Sequence, residues 1–185
     1  MRGSASQLIH NVYILKKTGE SLLHSYYGSI EVDESLITGF LSAISSFAEE
    51  IGAESVESLI MKNMKFVYAL DTSTQDPIIF AVCVDREEDS KKIEFILRKI
   101  KNKFMEAHRT DIEEYTGDLS VFKVFYKELD DIVWQYVLEK YGKTFQELII
   151  NKKRRIDEVV TSIHRLFSPK IAARLIDHIL EAVYQ

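Results

Sequence analysis

Apolar patterning along the chain predicts an α/β (α+β) protein: a five-stranded antiparallel sheet with helices on both faces and a C-terminal helical hairpin. Three observations carry that expectation. Two β-branched and aromatic runs meet across a Gly-centred polar turn. A three-run meander ends in a segment apolar on both faces. Elsewhere, apolar residues recur at three- and four-residue spacing.

The first run, Ile9–Leu15 (IHNVYIL), is followed by Lys16–Glu20, where Gly19 is free to adopt a positive φ. The return strand, Ser21–Tyr27, sends Leu22, His24 and Tyr26 to one side and Leu23, Ser25 and Tyr27 to the other. Neither side is plainly polar, so cover on both is expected. Asp33 is a good N-cap, Glu34 suits the positive end of a helix, and Leu36, Ile37, Phe40, Leu41, Ile44, Phe47, Ala48 and Ile51 keep helical spacing up to a left-handed cap at Gly52.

Val56–Met61, Lys65–Leu70 and Ile78–Val84 read as the meander, and the last of them, IIFAVCV, has the composition of a central strand covered above and below. Asp85–Asp89 opens a helix to about Arg109, with Ile93, Ile96, Leu97, Ile100 and Phe104 inward. After a break at Tyr115–Asp118, a helix from Val121 to Tyr141 is expected to stop at Gly142, and another to run from Thr144 to Phe167. Ser168 then caps a final helix with Pro169 in its first turn. This divides the chain into a body at 7–141 and a helical extension at 143–185.

Composition narrows the function classes. The 185 residues are 46% hydrophobic and 29% charged, suiting a folded domain with an appendage, and a net charge of −5 disfavours a broad nucleic-acid-binding face. No apolar stretch approaches the roughly 18 residues of a membrane span, so a cytoplasmic location is expected. Cys83, the single cysteine, lies inside an apolar run and reads as a buried hydrophobe. The histidines show no HxxxH or HExxH pair, the glycines form no phosphate-binding loop, and no GxSxG elbow occurs. No catalytic residue, metal site or cofactor is assigned.

Two features are candidate membrane or partner contacts. The run Lys152, Lys153, Arg154 and Arg155 is basic enough to meet anionic lipid, at about 1 kcal/mol per residue, although a solvated helix face explains it as well. Tyr26 and Tyr27 close a strand with side chains suited to an interface.

The order β-β-α-β-β-β-α over about Gln7 to Arg109 resembles the longin domain, a profilin-like fold. Tyr13–Gly19 (YILKKTG), Lys65–Tyr68 (KFVY) and Phe80–Asp85 (FAVCVD) resemble the small sigma-type clathrin-adaptor subunits, as do Phe104 and Phe122–Asp131 (FKVFYKELDD). The turn continues Glu20-Ser21-Leu22 where adaptor subunits carry a basic residue, so no sorting-signal site is carried over. The resemblance implies a non-enzymatic protein-interaction scaffold in membrane-trafficking-like or small-GTPase-linked complexes. Its implied partner is a small GTPase or another longin- or roadblock-like subunit, with peripheral membrane contact and no nucleic acid. The alternative is a PAS- or profilin-like domain that senses a small ligand.

Overall fold

The computed structural model describes residues 9–28, 32–53, 55–151 and 154–184. Strands β1 (Ile9–Lys16) and β2 (Ser21–Tyr26) form the expected hairpin, with Gly19 at φ 97° and its N–H donating to the Lys16 carbonyl over 2.9 Å. Together with β3 (Ser58–Ile60), β4 (Met64–Asp71) and β5 (Ile78–Asp85) they make a five-stranded sheet in the order β2-β1-β5-β4-β3, antiparallel at every pairing. The fold is therefore an α+β one, a five-stranded antiparallel sheet with helices on both faces and a helical C-terminus, in the element order expected.

Alternation along the strands builds two cores. Tyr13, Leu15, Phe66, Tyr68, Ile79, Ala81 and Cys83 face helix α1 (Glu34–Glu50), which inserts Leu41 among them. Val12, Ile14, Val67, Phe80, Val82 and Val84 face α2 (Ser90–Glu113) and the helices beyond it. β5 is central, as its doubly apolar sequence predicts. On the α2 side, the ring of Phe104 lies 5.8 Å from Phe80, 5.1 Å from Phe125 and 5.7 Å from Phe122. Phe80, Phe104, Phe122 and Phe125 thus meet in one aromatic centre, whereas Tyr13, Phe66 and Tyr68 lie in the core on the other side.

Several boundaries differ from expectation. β3 is shorter than Val56–Met61, because of its residues only Leu59 turns inward and the flanking backbone reaches β4 through single bonds, Tyr68 N–H to the Glu57 carbonyl and Met61 N–H to that of Met64. Asp85 ends β5 rather than opening a helix; Asp89 is the cap, accepting from the Lys91 amide at 3.0 Å. The expected helix at Val121–Tyr141 begins as a 3₁₀ segment (Leu119–Phe125), becomes α3 (Tyr126–Val137) and loosens into a π turn (Leu138–Gly142).

Gly142 does not stop that helix. Its φ is −54°, and the chain passes directly into α4 (Lys143–Ile150). A Cβ there would stand 3.0 Å from Leu138 Cδ1, so glycine here permits tight packing of the widened turn rather than a reversal. The single helix expected over Thr144–Phe167 is broken. α4 ends at Ile150 with Asn151 as its cap, and α5 (Ile156–Leu166) restarts with Asp157 and Glu158 in its first turn. Like charges crowd the intervening segment, while acids at the new N-terminus favour a fresh start. α6 (Pro169–Tyr184) completes the hairpin with α5. Ser168 precedes it as expected, yet its hydroxyl is buried without a hydrogen-bond partner; its backbone makes the junction instead, with its N–H on the Tyr27 carbonyl and its carbonyl accepting from Ala172.

Candidate interaction surfaces

The residues capable of chemistry are mostly buried and paired, although His10 Nδ1 and His108 Nε2 have no hydrogen-bond partner among the described residues. Cys83 is 3% exposed in mid-strand, and burial, helped by the nearby Asp85 carboxylate, pushes its thiol up to about 12. His10 meets Asp85 at 2.9 Å, His24 meets Asn11 at 3.0 Å and stacks on Tyr13, and His108 meets Asp111 at 2.7 Å. Among the described residues no group of three or more His, Cys, Asp or Glu is placed to hold a metal ion. No helix among them is long and apolar enough to cross a membrane.

The sequence-predicted contacts separate in the structure. Lys152 and Lys153 lie outside the described residues; Arg154 and Arg155 are exposed between α4 and α5, and Arg155 pairs with Asp157 at 3.0 Å. Tyr26 is 45% exposed. Tyr27 is not a surface residue: it is 1% exposed, its O–H donates to Asp130 Oδ1 at 3.0 Å, and burial raises its phenol far above the ordinary range. The neighbouring Gly28–Phe167 bridge and the Ser168 contact close the C-terminal helices over it. Among the described residues no hydrogen bond or ion pair joins either tyrosine to Arg154 or Arg155.

Periodicity places α1 but not its buried side. Of its eight helically spaced apolar residues only Leu41 and Ala48 are buried, while Leu36, Phe40, Phe47 and Ile51 stand 68%, 39%, 61% and 63% exposed. Eight apolar positions cover too wide an arc for one buried stripe. A legible signal is the absence of any charge from Ser35 to Ala48, four turns of helix with half their circumference in water. Gly39 and Ala43, both exposed, keep that outer face low.

β3 contributes to the core on the same side of the sheet, since Leu59 and Val56 pack into the cluster that holds Leu41, while the helix itself lies nearest β1 and β2. As the last strand of the sheet it has no partner strand on its outer edge among the described residues, and Ile60 and Met61 are 60% and 37% exposed there. The opposite edge is covered: the 3₁₀ segment packs on β2, and the Tyr126 hydroxyl donates to the His24 carbonyl. One edge is protected and one is open.

Concavities adjoin the helices on both faces of the sheet. A cleft of about 190 Å³ lies between the C-terminal half of α1 and the sheet, with Ser45, Glu49, Thr72 and Tyr68 in its lining, and the buried Tyr68 hydroxyl has no partner. On the other face a groove of about 450 Å³ runs between α2 and α3. Its wall rests on Glu88, whose carboxylate is 1% exposed, accepts from the Tyr136 hydroxyl and pairs with Lys140. Lys65 donates to the Glu88 carbonyl and, over 2.7 Å, to Ser90 Oγ, fixing the start of α2 to the sheet.

No family model matches the sequence. No curated protein matches it either. Among solved structures the chain is similar to Myxococcus xanthus MglB, with a TM-score of 0.43 and 13% identity over 55% of this chain and 85% of that one. It is also similar to the gliding protein MglB from Thermus thermophilus, with a TM-score of 0.34 and 14% identity over 47% of this chain and 68% of that one. A further MglB structure, with a tetrameric arrangement, gives a TM-score of 0.33 and 12% identity over 47% of this chain and 68% of that one.

Proposed function

We propose that this chain is a non-enzymatic longin-type interaction module of small-GTPase-linked complexes, and that it pairs through α1 and the open edge of β3 with another longin- or roadblock-like subunit. The observation that carries the reading is the uncharged, exposed face of α1 on a sheet whose β3 edge has no partner strand among the described residues. Such a combination offers apolar area and backbone hydrogen bonds together. A second copy of the chain is the simplest such subunit, because an antiparallel strand edge is complementary to itself about a two-fold axis, and Gly39 and Ala43 let two helices approach closely.

The resemblance of Tyr13–Gly19 and Phe80–Asp85 to sigma-type adaptor subunits extends the proposal to trafficking-like complexes. Within it, 7–141 is the longin-like body and 143–185 its own helical extension. Tyr26, Arg154 and Arg155 are the accessible candidates for further partner or membrane contact.

Capture assays test this reading. Immobilised protein is expected to retain either a longin- or roadblock-type subunit or a GTP- or GDP-loaded small GTPase, and to lose the paired subunit on Phe40→Glu/Phe47→Glu substitution. A protein that stays monomeric and captures none of these refutes it. The cleft under α1, with the unpartnered Tyr68 hydroxyl, favours the small-ligand alternative. Native mass spectrometry showing a stoichiometric co-purified ligand would favour that second reading.

A further inference from the structure

We propose that the groove between α2 and α3 receives an acidic amphipathic helical segment of a partner protein, its apolar side on Phe95 and its carboxylates toward Lys91, Lys92 and Lys99. This surface lies on the opposite side of the sheet from α1 and is independent of the pairing proposed there.

Charge distribution is the first argument. Between Ser90 and Met105, α2 carries six basic side chains and one acidic one, Glu94, in a chain whose net charge is −5. Three of those lysines line the groove; Lys140, from the turn after α3, lines it too, but the buried Glu88 carboxylate offsets its charge. Glu139 is the one acid in the lining. Positive potential is therefore concentrated where the rest of the molecule is acidic.

The floor is the second argument. Phe95 is 62% exposed, at the mouth, while Ile96, Ile132 and Tyr136 are 7%, 4% and 8% exposed beneath it. An apolar strip flanked by lysines complements a helix with leucines on one side and glutamates on the other. A bilayer is the poorer match, because Phe95 is the one well-exposed apolar side chain in the lining and offers little to insert.

The test uses a fluorescein-labelled peptide of about 16 residues, Leu on one helical face and Glu on the other, with a counterpart bearing Lys in place of Glu. Fluorescence anisotropy is expected to show saturable binding of the Glu peptide alone, about tenfold weaker in Lys91→Glu/Lys92→Glu/Lys99→Glu and weakened by added salt. Phe95→Ser, at an exposed position, is expected to weaken it about fivefold. The proposal is overturned by failure of the Glu peptide to saturate, by equal binding of the Lys peptide or by unchanged affinity in the triple variant. Sedimentation with phosphatidylserine-containing vesicles in place of peptide binding also overturns it.

Discussion

Burial decides what Cys83 can do. A thiol held near 12 is almost entirely protonated at pH 8, and its position in mid-β5 blocks approach. Ellman's reagent is expected to label the native chain about a hundredfold or more slower than the urea-unfolded chain at that pH. Equal rates would contradict the placement of Cys83. Glu88 is the opposite case, a buried charge kept by its partners. Replacing it with alanine leaves the Lys140 ammonium and the Tyr136 hydroxyl without their acceptor, so Glu88→Ala is expected to cost about 2–4 kcal/mol in urea unfolding. A loss below about 0.5 kcal/mol would show that the cluster contributes little. The two differ in legibility: IIFAVCV announces a buried cysteine, whereas Glu88 sits in an acidic run that reads as a helix start.

At the scale of elements, legibility follows local physics. The Gly19 turn, the Asp33 cap, the doubly apolar β5 and the Ser168-Pro169 start of α6 are each fixed by neighbouring residues, and all are readable in the sequence. Gly142 is not, because its conformation depends on Leu138 and on α6 packing nearby rather than on its own preference. Which side of α1 is covered is also beyond local reading: periodicity reports recurrence, and only the sheet selects Leu41 over Phe40 or Phe47 for the core. Two substitutions separate these roles. Leu41→Ala is expected to cost about 3–5 kcal/mol, and Phe40→Ser/Phe47→Ser under about 1 kcal/mol in the monomer, both read from denaturant midpoints. A costlier outer pair would mean that the outer face is structural.

Across the whole molecule, the C-terminal helices share one core with the sheet: Phe145, Val159, Ile163, Phe167, Ile171 and Leu175 pack in the same cluster as Ile14, Phe80 and Phe104. Tyr27 and Asp130 join the two parts through a buried hydrogen bond, and Lys170 pairs with the same carboxylate. Helical extension and body are therefore expected to melt in one calorimetric transition, and two resolved transitions would contradict their shared core.

The two proposed surfaces differ in electrostatics. In an antiparallel pairing of α1 helices, Glu34 of one copy approaches Glu49 and Glu50 of the other, so salt should strengthen self-association there while weakening peptide binding at the lysine groove. Sedimentation velocity of wild type and Phe40→Glu/Phe47→Glu over a concentration series tests the α1–β3 pairing most directly. The expected result is reversible association of the 21.4 kDa wild-type chain to a dimer, with the variant folded and monomeric throughout. A wild type that remains monomeric at every concentration, or a variant that associates as the wild type does, would contradict it.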